Sequence, residues 1–242
     1  MAKYVSKIIV ILLVSSNLCL GQKASEVVID SNTVWRLSLT EFIQRSEGKH
    51  ADILGGCVSI TEGAMATSVI MMALEVTTSR DTNMPSLKNE LINRMIDSLK
   101  SMQDSLTLMA DRDRSMFKVY LKVYHLNSKT AAEKRIRDSA IGAANLEATI
   151  PPIQSAGIMI GILQILERSI PLCSKATISD AFASAHLLKG ALDATLAIAN
   201  DDIRQLKMKD KVTFEKISKR YADQSSLLIK QITFLQNRLK KY

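Results

Sequence analysis

The chain has 242 residues, 47% hydrophobic but only 5% aromatic, with 11 Met, 9 Gly and 4 Pro. That length supports one well-cored domain, and the wealth of helix formers without long alternating apolar runs argues against a sandwich or barrel. The formal charge of +8 suits an anionic partner. Scarce aromatics and Lys and Arg dispersed along the chain argue against nucleic acid.

Residues 1–21 read as a secretory signal. Lys3 and Lys7 form a basic start, residues 8–14 an apolar run too short for a span, and Cys19-Leu20-Gly21 a small-residue exit. Loss of this segment takes the formal charge from +8 to +6. The expected product is exported, to a periplasmic or extracellular location, with no stable membrane anchor after cleavage. Residues 22–242 form a single helical domain. Its two cysteines, Cys57 and Cys173, are open to pairing or to burial as free thiols. Three scattered His residues (His50, His125, His186) and the lack of CxxC, HExxH or an acidic calcium loop argue against a metal site.

The elements follow in order. Residues 22–35 read as a loose lead-in. A short helix starts at a Ser38 or Thr40 cap, with Leu39, Phe42 and Ile43 as its apolar side. Residues 50–59 read as a glycine-bearing loop centred on Gly55-Gly56-Cys57. Residues 61–78 are apolar nearly all round and predict a helix in the middle of a bundle, the most buried element of the fold. A gap-free helix covers residues 86–126. Residues 131–170 read as helical, with Pro151-Pro152 expected to kink or break the run. Residues 171–178 form a connector. Ser179-Asp180 caps a helix to about residue 208, and a last helix carries Phe214, Ile217, Tyr221, Leu228, Ile232, Leu235 and Leu239 on a seam near period 3.5. The expectation is an all-α, up-and-down bundle of five to six long helices.

One residue in this map points to chemistry. Leu99, Met102, Leu106, Met109, Met116, Tyr120 and Val123 recur at spacings of three and four, one buried helix face. The series requires a member between Met109 and Met116, and Asp113 fills that place. A carboxylate on a core-facing seam is costly unless it is paired or useful. The structural alternative is an Asp satisfied by a neighbouring helix or by Arg112 or Arg114.

Three segments together resemble the cyclodeaminase/cyclohydrolase family, found as the C-terminal domain of formiminotransferase-cyclodeaminase and as a free-standing methenyltetrahydrofolate cyclohydrolase. The first is Leu39-Thr40-Glu41-Phe42 with Leu54-Gly55-Gly56-Cys57-Val58 and the Ala-rich helix after it. There Leu54 and Cys57 stand where the family has Pro and a third Gly. The second is Asp111-Arg112-Asp113-Arg114-Ser115-Met116-Phe117, similar to the family's Asp-x-Asp-x-x-x-Phe. The third is Ser179-Asp180-Ala181 with the helix through Asn200, where Leu196 replaces the family's first Asn.

The resemblance covers about residues 38–240. It implies a homodimer with a reduced-folate cleft beside the glycine-rich segment and a catalytic aspartate that falls on Asp113. It assigns Gly55, Gly56 and Ser59 to donors for the pterin, Asp180 to its amide edge and Asn200 to ligand contact or helix-end bonding. Arg112 and Lys118 are candidates for the glutamate tail or for a solvated face. No cofactor is expected beyond the tetrahydrofolate derivative as substrate. The reaction implied is cyclohydrolysis or cyclodeamination at a cationic amidinium carbon. The competing expectation, from the altered glycine segment and the signal, is an exported, catalytically silent helical dimer that binds a partner or anionic ligand.

Overall fold

The computed structural model describes residues 33–239, so the expected signal segment and most of the lead-in lie outside the described residues. Among the described residues there are six α-helices and no strand. They are α1 (Leu39–Ser46), α2 (Gly55–Arg80), α3 (Ser86–Tyr124), α4 (Ala131–Ser169), α5 (Ile178–Arg204) and α6 (Met208–Leu239). Helices α2, α3, α4 and α5 form a ring in which each packs on the next and α5 closes on α2; α6 lies against α4 and α5. Short links between consecutive helices make the ring antiparallel.

Local chemistry explains several helix starts. Ser38 caps α1 in a reciprocal box with Glu41, and Thr130 does the same for α4 with Glu133. Helix α5 starts one residue after Thr177, so Ser179 and Asp180 fall in its first turn and do not cap it. Helix α1, despite its apolar side, buries no residue. Leu39 and Ile43 remain exposed.

Two further expectations are corrected, on the start of α2 and on the most buried segment, and of the two outcomes expected at Pro151-Pro152 the break does not occur. Helix α2 begins at Gly55, so Gly55-Gly56-Cys57 is the first helical turn and not the centre of a loop. Pro151 and Pro152 sit inside α4 without ending it. Their missing N–H groups withhold partners from the carbonyls of Glu147 and Ala148, while both rings fill the core. The most buried segment is the second half of α4, not α2. Met159, Ile162, Leu163 and Leu166 there are fully buried, each stabilising by about 1.5–3 kcal/mol, whereas Met65 and Met72 of α2 are exposed. By length and composition, α2 and the stretch from α4 to Leu172 could each cross a membrane, but most of both apolar windows is buried within the bundle.

Helix length positions the site. Helices α3 and α4 have 39 residues each, against 26 and 27 in α2 and α5. At 1.5 Å per residue the longer pair outruns the shorter by about 18 Å. The C-terminal part of α3 and the N-terminal part of α4 therefore meet the N-terminus of α2 and the C-terminus of α5.

Candidate active site

A cleft of about 270 Å³ opens at that junction. Helix α2 contributes Gly55 and Gly56, preceded by Leu54. From α3 come Asp113, Phe117 and Tyr120, spaced four and three apart on one face. Helix α4 adds Asn145 and Ala148, and α5 with its C-cap adds Ile198, Asp202 and Gln205, again spaced four and three apart.

Asp113 is held against the first turn of α2. The backbone N–H of Cys57 lies close enough to its carboxylate to favour the ionised form, at a helix end where unpaired N–H groups favour negative charge. Gly56 makes the approach possible. A methyl group at that position would lie 2.6 and 2.7 Å from the two Asp113 oxygens, closer than any real contact. Cys57 is fully buried and does not line the cleft, so the residue at the family's third glycine position leaves the cleft open. Burial, then the like charge of Asp202, push the Asp113 carboxyl up to about 7, against the Cys57 N–H, which lowers it. Burial alone raises Asp202, to about 6. Two carboxylates in one low-dielectric cleft resist joint ionisation, so near neutrality the pair retains a proton.

The residues flanking Asp113 are engaged elsewhere. Asp111 accepts from Val34 N–H at 2.8 Å and from the Thr33 hydroxyl, fastening the N-terminal turn to α3. Arg112 pairs with Glu147 at 3.4 Å. Arg114, only 4% exposed, grips Asp52 at 2.6 Å, and Asp52 also pairs with Arg45. Among the described residues no ion pair reaches Asp113, so satisfaction by Arg112 or Arg114 is not how this carboxylate is accommodated. Lys118 lies 3.6 Å from Asp52, which places Arg112 and Lys118 in surface ion pairs.

The other residues expected at a folate site are dispersed. Gly55 and Gly56 line the cleft. Ser59 does not: its hydroxyl is buried, donating to the Gly56 carbonyl at 3.0 Å and accepting from Thr195 at 2.9 Å. It braces the helix start from below. Asp180 stands in the first turn of α5, about 33 Å along the helix from Asp202 by its rise per residue. Asn200 faces α6, accepting from Ser218 at 2.7 Å, because two residues along a helix turn a side chain to the opposite side from Asp202. Cys57 and Cys173 are both free thiols.

Sequence reasoning missed Asp202, although the signal that found Asp113 was there. Thr195 and Ala199 are buried on α5, and Asp202 continues their register at i+7 and i+3. Asn145 and Gln205 carried no such signal.

The family model described as formiminotransferase-cyclodeaminase matches residues 38–223. Among solved structures, the fold is similar to that of formiminotetrahydrofolate cyclodeaminase from Thermotoga maritima, with a TM-score of 0.74 and 18% sequence identity over 85% of this chain and 98% of that one. No curated protein matches the chain in sequence.

Proposed function

The chain belongs to the formiminotransferase-cyclodeaminase family, and on that premise we propose that it is an enzyme acting on the cationic amidinium carbon of a reduced folate, as a cyclodeaminase or a cyclohydrolase. The observation that carries the proposal is a carboxyl group, Asp113, titrating near neutrality in an open cleft at a helix N-terminus. A general base works best with a pKa near the operating pH. An ionised Asp113 also stabilises a cation in a site of low dielectric. The cleft has room for a flat two-ring head between Phe117 and Tyr120 on one side and the first turn of α2 on the other. The amides of Asn145 and Gln205 offer donors and acceptors to a pterin edge.

The silent-dimer reading calls for a filled pocket around a surviving aspartate, and the pocket is open. Export and homodimerisation belong to the proposal as well, with residues 1–21 removed and two copies joined by an exposed apolar face of α2 and α5.

The test is Asp113→Asn assayed with 5-formimino- and 5,10-methenyl-tetrahydrofolate. Turnover falls by roughly two to four orders of magnitude, the scale of a lost general base. Stability moves the other way. The folded cleft keeps a proton, shared by Asp113 and Asp202, between the ordinary carboxyl value of 3.8 and about 7, while the unfolded chain releases it, so wild-type stability declines as pH rises across that window. The slope is up to about 1.4 kcal/mol per pH unit. Asp113→Asn flattens the decline and is at least as stable as wild type at pH 8. Unimpaired turnover, or a mutant clearly less stable at pH 8, removes Asp113 from the role.

A further inference from the structure

Resting on the folate reading above, we propose that Asp202 is the second catalytic group, a proton donor that works with Asp113 as an acid–base pair across the cleft. Both side chains line the same cavity, one from each wall. They stand in opposite helix fields. Asp113 meets the N-terminus of α2 and the Cys57 N–H, which favour its ionised form. Asp202 lies in the last turn of α5, whose final residue is Arg204, where unpaired carbonyls disfavour a negative charge. The shared proton therefore belongs on Asp202. The higher value at Asp113 includes repulsion from an ionised Asp202 and loses that contribution once Asp202 carries the proton.

Few other groups compete for this role. Helix α2 brings the Cys57 thiol, which burial pushes up to about 12. Helix α3 brings Tyr120 to the lining and Arg114 beside Asp113, the latter bound to Asp52. The remaining lining side chains from α4 and α5 do not titrate.

The pair meets the proton inventory of cyclodeamination. N10 of the substrate attacks the amidinium carbon and forms the new C–N bond. Its proton passes to the Asp113 carboxylate. The Asp202 carboxylic acid protonates the amino nitrogen on the same carbon. That C–N bond then breaks with its electron pair on nitrogen, releasing ammonia and leaving the N5–C–N10 amidinium cation. Asp113 ends protonated and Asp202 ionised, and return of the proton between them resets the pair. Cyclohydrolysis needs the same two transfers, from the attacking water to Asp113 and from Asp202 to the departing ring nitrogen; the remaining hydroxyl proton returns to Asp202 as the formyl C=O forms, and Asp113 releases its proton to solvent. A lone base accounts for only one of them.

The experiment compares wild type, Asp202→Asn and Asp202→Glu in kcat and KM over pH 5–9 with both folates, with 13C NMR of the aspartate carboxyls in the folate-free protein. In Asp202→Asn, kcat is expected to fall at least a hundredfold with KM within a few fold, and the alkaline limb of the pH profile to disappear. Asp202→Glu, which keeps the acid, recovers part of kcat. With the proton on Asp202, Asp113 ionises first, so in Asp202→Asn the lower of the two wild-type carboxyl steps remains and the upper one disappears. Wild-type kcat and an unchanged pH profile in Asp202→Asn, or survival of the upper step, overturn the pair. A wild-type chain that turns over neither folate loses the functional reading and the donor role together, whereas an active chain with an unimpaired Asp202→Asn loses only the donor role.

Discussion

Gly56 and Asp113 compete for one volume, and the outcome sets the chemistry of the cleft. With hydrogen at Gly56, the Asp113 carboxylate settles on the first turn of α2. With a methyl group there, the oxygens at 2.6 and 2.7 Å have to move. Gly56→Ala is expected to fold, because alanine favours a helix by up to about 1 kcal/mol over glycine while the clash costs about 1–3 kcal/mol. Its effect falls on geometry. A displacement of about 1 Å in a catalytic group costs on the order of a hundredfold in rate, so kcat/KM is expected to drop by that order with a thermal midpoint within a few degrees of wild type. A Gly56→Ala enzyme with normal kcat/KM shows that Asp113 does not act from this position.

At the scale of elements, the segment Asp111-Arg112-Asp113-Arg114 divides its work by direction. Asp111 ties down the N-terminal turn, Arg112 reaches α4, Asp113 faces the cleft and Arg114 holds the link into α2 through Asp52. Asp52 lies three residues before α2 begins. Its carboxyl is held well below the ordinary range, chiefly by the Arg45 hydrogen bond, with Arg114 adding to it. Its stabilising contribution is intact above about pH 4 and fades as the pH falls further. Asp52→Asn removes the negative charge that faces the Arg114 guanidinium, which is 4% exposed. Breaking a buried pair from one side costs up to about 3–5 kcal/mol, reduced here because Asp52 is 31% exposed and open to solvent screening, and because Arg114 keeps its other contacts. A loss on the order of 1–3 kcal/mol in a urea melt at pH 7 is the expected result; no loss separates the link from the stability of the bundle. None of this division can be read from sequence spacing, since each partner comes from a distant segment. Periodicity did identify Asp113, because a charge interrupting an apolar stripe is a local pattern. It misplaced the start of α2, because two glycines in succession resemble a turn until a carboxylate from α3 is seen resting on them. The resemblance pointed to Asp180 and Asn200, which lie in the first turn of α5 and toward α6, since a motif reports position along a helix and not the side of the helix that faces the cavity.

At the scale of the whole molecule, the bundle leaves apolar surface that a single copy does not use. Val58, Met65 and Met72 are spaced seven apart on α2, with exposures of 37%, 56% and 40%. On α5, Leu187 is 44% exposed and is flanked by the exposed small residues Ala183, Gly190, Ala194 and Ala197. The two stripes adjoin, because a methyl group on Gly190 would lie 3.6 Å from the Glu62 carboxylate, within the α2 stripe. Small residues on one helix beside long flexible ones on the next form a surface that a two-fold copy of itself can fill. A stable interface requires at least about 1,000 Å² of total buried area, within reach of two adjoining helices of 26 and 27 residues. The processed protein is therefore expected to run as a dimer in light scattering at micromolar concentration, with an intact mass that begins near Gln22. Met65→Glu places two charges at the centre of that face and is expected to yield monomers that keep their helical spectrum. Wild-type monomers, or dimers that survive Met65→Glu, would rule out this face as the interface. A purified chain that retains Met1 would reject the signal peptide independently of the dimer.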